Sequence, residues 1–209
     1  MNYLIEKEDV KHLKLTAKKL IKRLEREINT NFNLKTIKPM SLDIEGILSD
    51  LMMKVYRNHS FQHTYIEIFF MLFTKTMVLK AIIFKKLNSY RAGIKVLESL
   101  NPLLPRFLDS QKADTVHYIM KSYLTSQSLY LHLYEYETAM EFGKKGLEMA
   151  MKELSLRFQT QKESNCHHNK AKVYKVKRMF ETIVLLFYDL AFTQEGMVIC
   201  YLLNTKNSL

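Results

Sequence analysis

A stripe of small residues on one predicted helix is the feature that most restricts how this chain can fold. Ala139, Gly143, Gly146 and Ala150 follow one another at steps of four, three and four, so on an α-helix they share one face. Two glycines inside a helix cost about 1 kcal/mol each relative to alanine. A face of small side chains lets a neighbouring helix approach closely, and the resulting packing can offset that cost. The stripe therefore predicts a packed helical hairpin over residues 126–151.

The rest of the chain is equally poor in residues that interrupt helices. Only five Gly and three Pro occur in 209 residues, which argues against an all-β fold with many turns and favours long helices. A chain of this length can form one sizeable domain or a run of stacked helix pairs. Hydrophobic periodicity predicts helices and no clear strand. The predicted helices cover about 7–31, 41–57, 61–87, 90–100, 110–134 and 136–158, followed by one or two helices after 170.

These elements predict a single α-helical repeat domain over residues 1–209. Residues 1–58 form an N-terminal helix pair and residues 59–158 two central pairs. Residues 159–169 are polar and aperiodic, and so predict a loop before a C-terminal helix or helix pair at 170–209. Pro39 disfavours a helix around it, so we expect the second helix to begin at Ser41 as its N-cap.

An aromatic residue precedes a small residue by nine positions in three of the predicted pairs. The three combinations are Phe84 with Gly93, Tyr130 with Ala139, and Phe187 with Gly196. An aromatic near the end of one helix would pack against a small residue early in the next. Tyr90 and Tyr136 add a further aromatic three residues before Gly93 and Ala139. The spacing therefore predicts repeated helix-pair packing.

This pattern resembles the tetratricopeptide repeat over residues 77–151. Ala81 and Pro105 match further small and proline positions of that repeat. Gly143 and Gly146 depart from it, no Trp-x-x-Leu-Gly signature is present, and the small residues lie 46 and 57 positions apart instead of 34. The resemblance implies antiparallel helix pairs stacked as a right-handed superhelix. The alternative fold is an irregular α-helical bundle.

The resemblance also implies a groove, lined by the first helix of each pair, that binds a peptide or a partner helix. Basic residues recur nine positions before the three aromatics, and further basic residues and a histidine directly follow two of them. These candidate binding residues are Lys75, Lys85, Lys86, Lys121, His132 and Arg178. Such a row could pair with an acidic peptide. The implied function is a non-catalytic protein–protein interaction scaffold.

Net charge supports attraction to an acidic partner but does not select one. The formal net charge is +11, and Lys14, Lys18, Lys22 and Arg26 recur every fourth residue of the first helix. A solvated helix face is the favoured explanation of such a ladder, and an anion-binding face is the alternative. The alternative function is therefore a basic α-helical protein that binds nucleic acid or an anionic surface.

No catalytic, cofactor or metal site is predicted. His59, His63 and Glu67 have helical spacing but no identifiable fourth ligand, and Cys166-His167-His168 has adjacent donors, which suit zinc poorly. No phosphate-binding loop or nucleophile motif is present. We therefore expect a protein that is not an enzyme and that binds neither a cofactor nor a metal ion.

The location and assembly of the chain are also expectations. Only two cysteines and the lack of a signal-like N-terminus favour a reducing, cytoplasmic location. No predicted helix has 18 uncharged apolar residues, so no transmembrane segment is expected. The apolar segment 198–203 offers a surface through which the chain could form an oligomer.

Overall fold

All the regular elements are helices in the part of the chain that the structure describes. The structure, a computed structural model, describes residues 2–57, 59–104, 107, 113–163 and 195. Its helices are α1 (Asn2–Thr30), α2 (Leu34–Arg57), α3 (His59–Lys86), α4 (Tyr90–Glu98), α5 (Ala113–His132) and α6 (Tyr136–Glu163). The all-α prediction is confirmed for these residues. None of the described helices is long and apolar enough to cross a membrane.

Helices α1, α3 and α5 contact one another in that order, and each consecutive pair of helices also packs together. Side-chain contacts fix their directions. Lys14, near the middle of α1, lies over the ring of Tyr65 near the start of α3. Lys86 donates a hydrogen bond to the Ile28 carbonyl near the ends of the two helices. The two helices are therefore parallel.

Helix α5 also runs parallel to α3. Thr115 donates to Glu67 near the starts of α5 and α3, and Lys85 donates to Ser128 near their ends. Helices α1, α3 and α5 thus form three parallel neighbours, which we call the parallel layer.

The core of the first half lies between α1, α2 and α3. The buried residues of α1 recur at helical spacing, as the sequence predicts, and meet a matching stripe on α2. Those of α1 are Val10, Ala17, Ile21, Leu24 and Ile28, and those of α2 are Ile37, Met40, Ile44, Leu48, Leu51 and Val55. A second cluster, which includes Phe70, Ile94, Leu100 and Leu129, joins α3, α4 and α5.

The predicted start of the second helix is wrong. Helix α2 begins at Leu34 and includes Pro39. Asn33 acts as the N-cap, since its Oδ1 accepts a hydrogen bond from the Lys35 amide at 3.0 Å. Buried Ile37 lies before the proline, so the apolar stripe crosses it. Ser41, the predicted cap, lies inside the helix, where its hydroxyl donates to Glu45.

Other boundaries also differ from the predictions. Helix α6 continues to Glu163, so residues 159–163 of the predicted polar loop are helical. Helix α4 ends at Glu98, and turns follow as far as Leu104. The predicted elements after residue 169, including Phe187 and Gly196, lie outside the described residues.

The turns after α3 and α5 have the same hydrogen-bond pattern, displaced by 46 residues. The amide of Ser89 donates to the Phe84 carbonyl, as that of Glu135 does to Tyr130. A second hydrogen bond, which spans fewer residues, runs from the amide of Asn88 to the Lys85 carbonyl in the first turn and from that of Tyr134 to Leu131 in the second. Asn88 and Tyr134 have φ values of 55° and 61°. Both helices therefore end in a Schellman motif with a left-handed residue at C′.

Gly93 and Ala139 occupy equivalent places after these two turns. The amide of Gly93 donates to Ser89, and that of Ala139 donates to Glu135. A side chain added at Gly93 would lie 3.1 Å from Leu129 Cδ1 and 3.3 Å from the Ala81 carbonyl oxygen. Gly93 thus lies where α3, α4 and α5 come closest, against the backbone at Ala81.

The small stripe on α6 is buried, and the aromatic next to it packs on another aromatic. Ala139, Gly143, Gly146 and Ala150 are all buried. The Tyr130 ring stacks on Phe142 at a centroid distance of 5.4 Å, while the Tyr136 ring meets Tyr134 edge-on. The helix-pair contact predicted from these residues is present between α5 and α6.

Candidate functional site

A pocket of about 510 Å³ lies at the C-terminal ends of α3 and α5. The turn into α4 forms one of its walls. It is lined by Ile82, Lys85, Lys86, Asn88, Tyr90, Leu124, Thr125, Ser128 and His132. None of these lining residues is acidic. The volume is in the range of sites that bind small ligands or single side chains of a partner.

Two adjacent lysines contribute the positive charge of the pocket. They occupy the last two positions of α3, where cations interact favourably with the helix dipole. Lys85 donates to the Ser128 hydroxyl on α5. Lys86 donates to the Ile28 carbonyl and lies 5.2 Å from the centroid of the Phe32 ring. The contacts of Lys86 are thus made to groups without formal charge.

His132 ends α5 on the opposite side of the pocket. Its Nδ1 lies 2.7 Å from the Ser128 carbonyl oxygen. A carbonyl can only accept, so Nδ1 carries a proton and Nε2 is the nitrogen left for a further partner. The imidazole also packs at 4.8 Å on the ring of Tyr90, whose hydroxyl donates to Asn88 Oδ1. These contacts fix the orientation of both rings.

Lys75 lies in the middle of the parallel layer and contacts both neighbouring helices. Its Nζ is 2.7 Å from Glu25 Oε2 on α1 and 5.2 Å from the Tyr118 ring centroid on α5. Burial acts to lower the pKa of Lys75, but hydrogen bonds to Glu25 and Tyr118 outweigh it, and the pKa is raised. Lys75 therefore connects three helices of the chain itself.

The other described candidates, Lys75 and Lys121, do not line the pocket. Lys121 lies on α5, where its carbonyl accepts a hydrogen bond from the Thr125 hydroxyl. Arg178 lies outside the described residues. The structure thus brings three of the six predicted residues, Lys85, Lys86 and His132, into one pocket. The binding role of all six stays a prediction.

Sequence reasoning missed the polar residues that complete the pocket. Thr125 and Ser128 lie seven and four residues before the predicted residue His132 on α5, a spacing that places all three on one helix face. That signal was available in the sequence. Asn88 and Tyr90 belong to the turn after α3, and their place in the pocket depends on how α4 folds back.

Within the described residues, no group of three or more His, Cys, Asp and Glu side chains could hold a metal ion. The Cys166-His167-His168 sequence lies outside them. Comparison with known proteins finds no matching family model, no matching curated protein and no matching solved structure.

Proposed function

We propose that this chain is a non-catalytic interaction scaffold that binds an acidic segment of a protein partner. The helix pairs would stack as a tetratricopeptide-like right-handed superhelix, with the parallel layer lining the binding groove. The observation that carries the proposal is the pocket itself, where Lys85, Lys86 and His132 converge without an acidic lining residue.

The repeated turn supports the stacking part of the proposal. Two helix pairs share the same Schellman motif, and both have a small residue five positions after its left-handed residue. A repeat of this kind places the first helices of successive pairs side by side. The parallel order of α1, α3 and α5 agrees with that geometry.

The chemistry of the pocket favours a carboxylate as the bound group. Charge-assisted hydrogen bonds from lysine to a carboxylate are about twice as strong as neutral ones. Ile82 and Leu124 supply apolar lining beside these donors. An acidic side chain flanked by an apolar residue would therefore use both kinds of lining.

A peptide-binding measurement on charge-removed variants tests the proposal. The probe is a fluorescein-labelled peptide of alternating Glu and Leu residues, followed by anisotropy. We expect the double variant Lys85→Gln and Lys86→Gln to bind at least about ten-fold more weakly, because each lost charge-assisted bond contributes about 1.5–3 kcal/mol.

The matched control is Arg91→Gln with Lys95→Gln, which removes the same charge from exposed positions on α4. It should bind like the wild type. Equal weakening of both double variants would mean that net charge alone attracts the peptide, and would contradict a specific pocket. Absence of any peptide binding by the wild type would reject the proposed function.

A further inference from the structure

One face of α1 carries a dense array of positive charge that the pocket does not use. Between Asp9 and Glu25 the sequence contains six Lys or Arg residues and no acidic residue. The exposed members, together with one further residue of α1, form what we call the basic face. It consists of Lys11, Lys18, Lys19, Lys22, Arg23 and Arg26, all of them exposed.

Packing fixes the basic face toward the outside of the molecule. The opposite side of α1 carries the buried stripe, whose members Val10, Ala17 and Leu24 are fully buried. At 100° per residue, the basic positions are centred on the side away from this stripe. The α1 helix therefore cannot turn its cationic residues inward without exposing its core residues.

The charge of the basic face is not neutralised within the described part of the chain. Two acidic residues at the edges of the array are already engaged, Asp9 with Lys54 at 2.7 Å and Glu25 with Lys75 at 2.7 Å. None of the six basic residues forms an ion pair with a residue that the structure describes. Helices α2 and α3 thus engage two of the acidic residues of α1.

We propose that the basic face of α1 binds the phosphate backbone of double-stranded nucleic acid, without reading its sequence. The face runs from Lys11 to Arg26, a rise of about 22 Å over 15 helical steps of 1.5 Å each. A duplex carries one negative charge per about 1.7 Å, or about 13 charges over that length. Release of its counterions by the lysines and arginines would drive binding.

The composition of the face selects this partner over other acidic surfaces. Leu15 is the single large apolar side chain exposed on α1 among those described, and no aromatic residue occurs between Glu8 and Thr30. Insertion into a membrane needs an apolar face, which α1 buries. Binding of single strands uses aromatic stacking, and protein interfaces are depleted in lysine.

A salt titration tests the proposal. The probe is a labelled 20-base-pair DNA duplex. Its affinity is measured by fluorescence anisotropy at NaCl concentrations from about 50 to about 200 mM, the range over which counterion release weakens binding strongly. Six phosphate contacts predict a loss of affinity of about 10³-fold over this range. The triple variant Lys18→Ala, Lys22→Ala and Arg26→Ala should make the slope of log K against log salt less negative by about 2.7, since each contact contributes about 0.9.

The control variant carries Arg91→Ala, Lys95→Ala and Lys144→Ala, which remove three exposed charges elsewhere. Its slope of log K against log salt should differ from that of the wild type by no more than about 0.9, the value of one phosphate contact. A second duplex of unrelated sequence should bind equally well. Circular dichroism of both triple variants should match wild type, because all six substituted residues are exposed.

Four outcomes would overturn the proposal. They are no duplex binding at 50 mM salt, equal slope changes in the two triple variants, tighter binding to single-stranded oligo-dT of equal length, and tighter binding to phosphatidylserine vesicles. Because the pocket variant Lys85→Gln, Lys86→Gln retains the basic face, its duplex affinity should stay near wild type. If the wild-type protein fails to bind the acidic peptide, the duplex-binding result for the basic face is therefore unaffected.

Discussion

At the scale of single residues, the two left-handed positions in the repeated turns differ in how well their side chains suit the conformation. Asn tolerates positive φ, whereas a bulky residue there is strained by roughly 1–2 kcal/mol. Asn88 fits its turn, and its side chain also accepts the Tyr90 hydroxyl. Tyr134 has φ 61° and is largely exposed at 77%, so little packing offsets its strain.

Replacing Tyr134 with glycine should therefore stabilise the protein. Glycine adopts positive φ at no steric cost, so we expect Tyr134→Gly to raise the free energy of unfolding by about 0.5–1 kcal/mol. For a chain of this size that corresponds to about 2 °C in Tm, measurable by calorimetry. Tyr134→Ala keeps the backbone strain and should show no gain. A Tm of Tyr134→Gly at or below that of wild type would contradict the argument.

Lys75 shows that spacing along the sequence does not determine which side chains a residue contacts within the fold. Its position nine residues before Phe84 predicts a groove residue. The structure adds that it already pairs with Glu25 and lies over Tyr118. Substitution of Lys75 by Glu would place two carboxylates together, so it would test the stability of the fold instead of binding.

At the scale of helices, comparison of two glycines in helix interiors distinguishes the effect of helix propensity on stability from the effect of packing. Gly46 is exposed on α2, and a side chain added there would meet nothing within 4 Å. Gly93 on α4 faces Leu129 and the Ala81 backbone at 3.1–3.3 Å. The same substitution thus meets open space at one glycine and a tight helix junction at the other.

We expect Gly46→Ala to stabilise the protein by about 0.5–1 kcal/mol, the usual difference in helix propensity. At Gly93 the same gain is opposed by contact with a backbone carbonyl that cannot move away alone, so Gly93→Ala should give no gain or a loss. Urea unfolding of the two variants measures both effects. Equal stabilisation by the two substitutions would show that the junction at Gly93 is looser than the distances indicate.

The start of α2 shows that local sequence signals do not by themselves determine where a helix begins. Pro39 and Ser41 are good local signals for a helix start, and they gave the wrong boundary. The apolar stripe that begins at Ile37 and the Asn33 cap were also present in the sequence. Burial of that stripe against α1 outweighs the one backbone hydrogen bond that proline removes.

At the scale of the whole molecule, three titrating groups link stability to alkaline pH. Burial raises the pKa of Tyr123 above its usual 10.0. Burial, with Glu98 and Glu135 nearby, does the same for Tyr130. The pKa of Lys75 is raised above 10.5. Each raised pKa contributes stability that is present below the ordinary value and is lost as pH rises through the folded-state value.

We therefore expect Tm to be insensitive to these three groups below about pH 9.5 and to fall above pH 10, with the window set by their ordinary pKa values. Calorimetry at several pH values, with absorbance at 295 nm to follow tyrosine ionisation, measures both. Tyr123→Phe should weaken the alkaline fall, because phenylalanine cannot ionise. A Tm that is unchanged above pH 10 would contradict the raised values.

Sequence alone determined the helical class, because breakers are few and apolar residues keep a 3.6-residue period, as in the stripe from Ala17 to Ile28 on α1. It also determined the 46-residue offset that places Gly93 and Ala139 after equivalent turns. These are local properties, set by side chains a few positions apart.

Only the tertiary structure decided which basic residues share a surface. Lys85 and His132 lie 47 residues apart in the chain and meet because α3 and α5 end side by side. Lys75 and Glu25 pair across two helices, which takes a counter-charge from the basic face of α1 and leaves that face positive. Charge pairing depends on distances of a few ångströms between side chains on different helices. The spacing of apolar residues along the sequence carries no information about these distances.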